Sequence, residues 1–296
     1  MNPRHFRMTS GALAIASAVC VAGATAAVAN PVNNNGTPQS AKVEVTEVAH
    51  RGSSFEQPEN TIAAVQEGIS DKADYVEIDV QRSKDGELVV IHDTTLTRTT
   101  NVEEVFGDRP SYAVGEFTLA ELKQLDAGSW KGEQFTGEQI PTLNEVLDVL
   151  TKSQSGLLLE MKAPELYPGI VDDLVAQLEA RPGYLNSNVA NGRLVVQSFN
   201  WDFMAEFNAQ LPEVTAGLLG TPSDAQMVEF SSWADQINPN YGAASVEFVD
   251  RVHELGMETY VYTVDAEATM VQMVENGVDG IITNKPNVLD EVLRSL

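Results

Sequence analysis

Two of the four histidines end apolar, β-rich runs: His50 in VAHRG and His92 in VVIHD. Imidazole titrates near neutral pH, so two such groups brought together can divide the work of base and acid. His5 lies near the N-terminus, and His253 falls on the amphipathic stretch SVEFVDRVHELG, on the side expected to face water. Carboxylates supply the rest of the candidate chemistry. In DYVEIDV, strand alternation puts Val76, Ile78 and Val80 on one face and Glu77 with Asp79 on the other. In GLLLEMKA the same alternation separates Leu157, Leu159 and Met161 from Glu160 and Lys162. Burying even one carboxylate costs several kcal/mol, so three acids sharing one interior need a compensating charge. Two compensations are open. Salt bridges to Arg51 and Lys162 would need no metal; a hard divalent cation, Ca2+ or Mg2+, suits an all-oxygen donor set. Cation, histidines, Arg51 and Lys162 together meet the demands of phosphodiester cleavage. Charge on the non-bridging oxygens must be held, a hydroxyl must lose a proton, and the leaving alkoxide must gain one. A glycosidase also uses paired carboxylates but has little need of an Arg–Lys–cation anion pocket.

Nine short apolar runs could carry these groups: VTEVAHRG, DYVEIDVQRS, ELVVIHD, GLLLEMKA, RLVVQSF, TAGLLG, ADQINP, ETYVYTVD and GIITN. Helical patterns alternate with most of them, which predicts a parallel sheet. Between the second and third runs stand just Lys84, Asp85 and Gly86, room for a tight turn and not for a crossover helix, so that pair must be an antiparallel hairpin. Eight parallel strands then remain, and their near-continuous apolar character predicts a (β/α)8 TIM-type barrel with its chemistry at the strands' C-terminal ends. No glycine-rich phosphate loop follows the first strand, which disfavours a doubly wound sheet. One helix is well signalled: Thr142 and Glu145 form a capping box ahead of Leu143, Val146, Leu147 and Leu150. From Thr94 to Ile140 the rhythm breaks, so 94–140 is expected to be an insertion on the barrel top.

The chain has 296 residues and 43% hydrophobic composition, enough for a large core, with 18 Lys and Arg against 43 Asp and Glu for a net charge of −25. So acidic a surface repels phosphate backbones and anionic headgroups, arguing against nucleic acid or electrostatic membrane docking. Residues 1–29 contain no acid, carry Arg4 and Arg7, and continue as GALAIASAVCVAGATAAVA, ending in the small-residue pattern Ala27-Val28-Ala29. This predicts a secretory signal peptide and an exported chain starting near Asn30, with no stable membrane insertion once the signal is cleaved. A retained anchor is the rival reading, because the run approaches membrane-spanning length. Cys20 is the sole cysteine and Val19 before it is not small, against lipoprotein processing. The mature chain would hold no thiol, hence no disulfide and no thiolate metal site. Residues 30–42, NPVNNNGTPQSAK, read as a flexible leader, and 43–296 as the barrel domain.

Several of these segments together resemble the glycerophosphodiester phosphodiesterase family: HRGSSFEQPENT (50–61), VEIDVQRSKDGELVVIHD (76–93), TLTRTT, LDAGSW, IPTLNEVL, LLLEMK, VVQSF and GVDGIITNKP. The resemblance implies a (β/α)8 barrel with a small inserted subdomain after the second histidine. It also implies divalent-cation-dependent hydrolysis of small-molecule glycerophosphodiesters to glycerol 3-phosphate and an alcohol. By it, His50 and His92 would be the acid–base pair, Glu77, Asp79 and Glu160 the metal ligands, and Arg51 and Lys162 the phosphate holders. Glu59 would either support the site or begin a helix. The nucleophile stays open between the glycerol 2-hydroxyl and water. Two positions depart from the family pattern: Tyr262, where Trp is more frequent, and Asn284, where an acid is frequent. Tyr262 still offers an aromatic wall for the substrate; Phe199 and Trp201 either line the same pocket or pack. Two other functions compete with this one. A phospholipase or sphingomyelinase D-like barrel acting on intact lipids is disfavoured by the long insertion, the missing cysteine pair and the lack of an apolar membrane-facing loop. A non-catalytic binder of envelope phosphodiester polymers would not require both histidines.

Overall fold

The computed structural model describes residues 45–296. The expected signal peptide, with Cys20, and the leader 30–42 lie outside the described residues. Among the described residues nine strands form: β1 (Thr46–Ala49), β2 (Tyr75–Arg82), β3 (Leu88–Val90), β4 (Gly156–Met161), β5 (Leu194–Ser198), β6 (Thr215–Leu219), β7 (Gln236–Asn238), β8 (Tyr260–Val261) and β9 (Gly280–Thr283). Eight are parallel in the order β7-β6-β5-β4-β2-β1-β9-β8. Parallel bridges Gln236–Glu258 and Asn240–Tyr262 bring β7 to β8, so the ring is a nearly closed (β/α)8 barrel.

The ninth strand, β3, pairs antiparallel with β2, Val80 opposite Val90. Its turn is the expected tight one: Ser83 N–H donates to Glu87 O, Gly86 N–H to Ser83 O, and Gly86 takes φ +93°, a conformation that costs glycine little. His92 therefore does not follow a parallel barrel strand, as the expectation of chemistry at those strands' C-terminal ends would have it. β3 runs against the barrel strands, so its C-terminal end descends from above into the mouth, where Ile91 N–H donates to Asp79 O at 2.9 Å.

Alternation sorts the side chains as the sequence pattern predicts. Val76, Ile78, Val80, Leu157, Leu159 and Met161 pack outward against the helices, in one cluster with Leu143, Val146, Leu147 and Leu150 of the helix Leu143–Leu150. Each fully buried side chain of this kind contributes about 1.5–3 kcal/mol. That helix begins on the Thr142–Glu145 capping box. Inside the barrel Val48, Leu158, Val195, Tyr260 and Ile282 form an apolar plug. The acids stand in register beside it, with Glu77 opposite Leu158 and Asp79 opposite Glu160. Between β3 and Leu143 the chain gathers its own apolar cluster, in which Leu96, Val102, Val114, Phe117, Leu122 and Leu125 join Val89 and Ile91 of the hairpin. Among the described residues, no helix is long and apolar enough to cross a membrane.

Candidate active site

Glu77, Asp79 and Glu160 are buried together, each offering a carboxylate oxygen within 4.8 Å of the others. Each acid on β2 is held by one oxygen and leaves the other unpartnered. Arg51 N–H donates to Glu77 Oε2 at 2.7 Å; Asn60 Nδ2 donates to Asp79 Oδ2 at 2.8 Å, and Asp79 N–H donates back to Asn60 Oδ1. Arg51 Nε adds an ion pair to Asp79 Oδ2 at 3.2 Å. Glu77 Oε1 and Asp79 Oδ1 are buried without a hydrogen-bond partner. Lys162 Nζ donates to Glu160 Oε1 at 2.6 Å and stands 3.9 Å from Asp79 Oδ1. The salt bridges to Arg51 and Lys162 therefore exist, yet they leave the trio undercompensated. Burial, then the charges of Asp79 and Glu160, push the Glu77 carboxyl well above its ordinary range. Burial and Asp79 raise Glu160 to about 7. Preoriented hard oxygen donors with surplus negative charge could hold a divalent metal ion.

The loop after β1 sets His50. Arg51 adopts φ +57° and Gly52 φ +77°, and a Cβ on Gly52 would lie 2.3 Å from the Ala64 carbonyl carbon, so glycine alone lets this loop lie on the helix Ile62–Ser70. Left-handed, non-glycine residues flank the site at Arg51, Asn60 and Ala163, where surrounding hydrogen bonds hold costly backbone in place. His50 Nδ1 is 2.7 Å from Asn284 Oδ1, which also accepts from Ser54 Oγ. Asp265 fixes the orientation of that amide by accepting from Asn284 Nδ2 at 2.7 Å. The acceptor face of Asn284 thus requires the proton on His50 Nδ1 and leaves a lone pair on Nε2. Burial and the Arg51 charge lower His50 to about 4.

His92 is oriented differently. Its Nδ1 is 2.6 Å from Asp93 Oδ1, and its Nε2 is 3.2 Å from Lys162 Nζ. Arg98 grips both Asp93 oxygens, at 2.6 and 2.9 Å, and both oxygens of Glu59, at 2.7 and 2.8 Å. Glu59 in turn accepts from Arg51 NH1. Glu59 thus links Arg51 to Arg98 and stands ahead of the helix Ile62–Ser70, whose N-cap is Thr61. Arg98's hydrogen bonds hold the Asp93 carboxyl well below the usual carboxylate range. Beneath, the buried amide Nε2 of Gln81 lies 3.0, 3.1 and 2.7 Å from the carbonyls of Ile91, His92 and Asp93, while Tyr167 Oη donates to Gln81 Oε1. Sequence reasoning singled out none of Asn60, Gln81, Asp93, Arg98 and Asp265. Asn60 stands inside the quoted HRGSSFEQPENT segment and Arg98 inside TLTRTT, while Asp93 directly follows His92 in VVIHD, so for Asp93 alone adjacency to a histidine was an available signal.

Of the aromatic candidates, Phe199 and Tyr262 meet edge to face, 5.8 Å between centroids, and Lys162 Nζ lies 5.6 Å from the Phe199 ring. Phe199 is exposed at the mouth. Trp201 instead packs on Phe230 and donates Nε1–H to Leu219 O, so it belongs to the core. His253 is exposed and pairs with Asp279, as its helix face suggested.

A barrel whose C-terminal mouth gathers a buried acid trio, two imidazoles and the cationic side chains of Arg51 and Lys162 has the groups that a phosphodiester hydrolase needs. The sequence model of the glycerophosphoryl diester phosphodiesterase family matches residues 50–288, and the chain belongs to that family. A glycerophosphodiester phosphodiesterase of Bacillus subtilis is 35% identical, over 83% of this chain and 85% of the relative. One from Caldanaerobacter subterraneus is 38% identical, over 83% and 97%. Among solved structures, an Oleispira antarctica phosphodiesterase in complex with the product sn-glycerol-3-phosphate superposes with TM-score 0.70 at 29% identity, covering 84% of this chain and 96% of that one. A glycerophosphodiester phosphodiesterase from Agrobacterium tumefaciens gives 0.67 at 27%, covering 83% and 99%.

Proposed function

We propose that this phosphodiesterase works by paired-histidine acid–base catalysis on a phosphodiester held beside a divalent cation, releasing glycerol 3-phosphate and an alcohol. The observation that carries the reading is the fixed and unequal setting of the two rings: His50 Nδ1 on a neutral amide, His92 Nδ1 on a carboxylate. Glu77, Asp79 and Glu160 would hold Ca2+ or Mg2+, which supplies Lewis-acid neutralisation of phosphate charge when bound. His50, kept neutral by burial and Arg51, takes the proton of the attacking hydroxyl, whether glycerol 2-hydroxyl or water. Asp93 stabilises an imidazolium at His92, the form that returns a proton to the alkoxide as the P–O bond to the alcohol breaks. Lys162 donates to His92 Nε2 in the free enzyme. Its turning toward a phosphate oxygen frees that nitrogen for the proton. Arg51 and Lys162 hold the phosphate, and Phe199 with Tyr262 wall the organic moiety. With water as nucleophile the products form directly; with the 2-hydroxyl a cyclic phosphate forms first and water then opens it with the two histidines' roles exchanged, so either way the net reaction adds one water to one diester. The product complex of the Oleispira relative supports glycerol 3-phosphate as the retained product.

The remainder of the reading concerns placement. The acid-free, Ala-rich segment 1–29 supports export with cleavage near Asn30. The separate apolar cluster of 94–140 supports a small subdomain on the 43–296 barrel domain. His50→Ala and His92→Ala should each reduce turnover of glycerophosphocholine by at least about 10^2-fold, with the circular dichroism of the wild type. Full rate in either variant overturns the pairing.

A further inference from the structure

Among the described residues, lysines are either paired or exposed, with two exceptions beside the active site. Lys123 and Lys162 make ion pairs with Glu145 and Glu160. Lys72, Lys84 and Lys152 have no carboxylate at ion-pair distance and are exposed. Lys131 and Lys285 are half-buried and also lack one among the described residues. Both converge on the same two residues of the His50 loop. Lys131 Nζ donates to Ser54 O at 2.8 Å, and Lys285 Nζ lies 4.4 Å from the exposed Phe55 ring. Ser54 Oγ donates to Oδ1 of Asn284, the Lys285 neighbour and the atom that meets His50 Nδ1, so the two ammonium groups belong to the rim of the catalytic mouth.

The local partners are all uncharged: the Ser54 carbonyl and the Trp130 ring for Lys131, and the Phe55 ring for Lys285. Asp265, the acid next to Lys285 in the hydrogen-bond network, is taken up by Asn284 N–H, Asn284 Nδ2 and Thr283 Oγ1. The helix that Lys285 precedes, Pro286–Ser295, has no acid in its first turn. Burial lowers Lys131, and Glu59 and Glu56 offset this from beyond ion-pair distance. Two half-buried ammonium groups without counter-ions, in a chain of net charge −25, leave a local demand for an anion next to the site of phosphate chemistry.

Resting on the phosphodiesterase reading above, we propose that Lys131 and Lys285 form a subsite for a second anionic group on the substrate, so that glycerophosphodiesters whose alcohol carries a further phosphate are preferred. The scissile phosphate stays with Arg51 and Lys162; the additional phosphate lies over Ser54–Phe55 between the two ammonium groups.

Glycerophosphoinositol and glycerophosphoinositol 4-phosphate differ by one phosphate and test this directly. The readout is the ratio of their kcat/KM values, in which any common loss from loop disturbance cancels. At low ionic strength the wild type should favour the phosphorylated substrate about tenfold, falling toward parity as salt screens the rim. Lys131→Gln and Lys285→Gln should each cut the ratio about threefold, and the double variant should abolish it. A wild-type ratio at or below one, which the overall negative field by itself predicts, overturns the subsite while leaving the phosphodiesterase reading intact. So does a ratio that persists in the double variant. Glycerol 3-phosphate from neither substrate would overturn both.

Discussion

Exchanging the charges behind His50 should move the acid limb of the pH–rate profile without touching the acid trio. In the wild type a neutral amide, Asn284, contacts His50 Nδ1 at 2.7 Å, and the charge of Asp265 lies one hydrogen bond further out. The double substitution Asn284→Asp with Asp265→Asn keeps the net charge and the hydrogen-bond chain but places the carboxylate against the imidazole. At an effective dielectric of about 20, a unit charge at the contact distance is worth about 6 kcal/mol and one a hydrogen bond beyond about 2 kcal/mol. Screening at the open mouth reduces the difference, so His50 should rise by about one to three pKa units from its value of about 4. A general base works unprotonated; raising its pKa therefore removes activity at acid pH and spares it at pH 8. The assay is kcat/KM for glycerophosphocholine from pH 4 to 9 at saturating divalent cation. Wild type should retain activity well below the usual imidazole range, and the swapped variant should lose it one to three units higher. An unmoved acid limb in a folded, cation-saturated variant would refute the assignment of His50 as base.

Three further outcomes follow from the same geometry. Asp93→Asn removes the carboxylate that fixes the His92 tautomer and supports its imidazolium, so kcat should fall on the order of 10^2- to 10^4-fold with KM nearly constant; steady-state kinetics decide it, and a KM-only effect would speak against an orienting role. Gln81→Leu strands three carbonyls of the His92 loop, and should cost about 1–3 kcal/mol of stability together with a kcat loss larger than any change in KM, read by denaturant unfolding and kinetics; wild-type values in both would dismiss the clamp. The raised pKa of Glu160 means that, without a cation, its favourable contribution is complete below about 4.5 and is lost as pH rises through about 7. The melting-temperature difference between cation-loaded and chelated enzyme should therefore grow from pH 5 to pH 8, by on the order of 5 °C; a difference that shrinks with pH would contradict the buried, undercompensated trio.

Strand periodicity made much of this site legible. Side chains two apart share a face, so Glu77 with Asp79, and Glu160, were committed to the barrel interior by residues that had to meet the helices. The three-residue gap Lys84–Gly86 likewise forced the hairpin and left eight parallel strands. Periodicity says nothing of contacts between loops. Asn60 reaches Asp79 across 19 positions, Arg98 reaches Glu59 across 39, and Asn284 reaches His50 across 234. Those partners are chosen by where the barrel's closure and the chain after β3 bring the loops, which no local spacing encodes. The same limit applied to Phe199 and Trp201, two residues apart, of which one faces the mouth and the other the core.

Glycerol 3-phosphate release from glycerophosphocholine, followed in the intact enzyme, after chelation, and after Ca2+ and Mg2+ are restored separately, addresses the acid trio most directly. Turnover should cease on chelation and return with at least one of the two ions, while Glu77→Gln, Asp79→Asn and Glu160→Gln stay inactive under both. Undiminished turnover by the chelated wild type would contradict a catalytic cation at these three carboxylates.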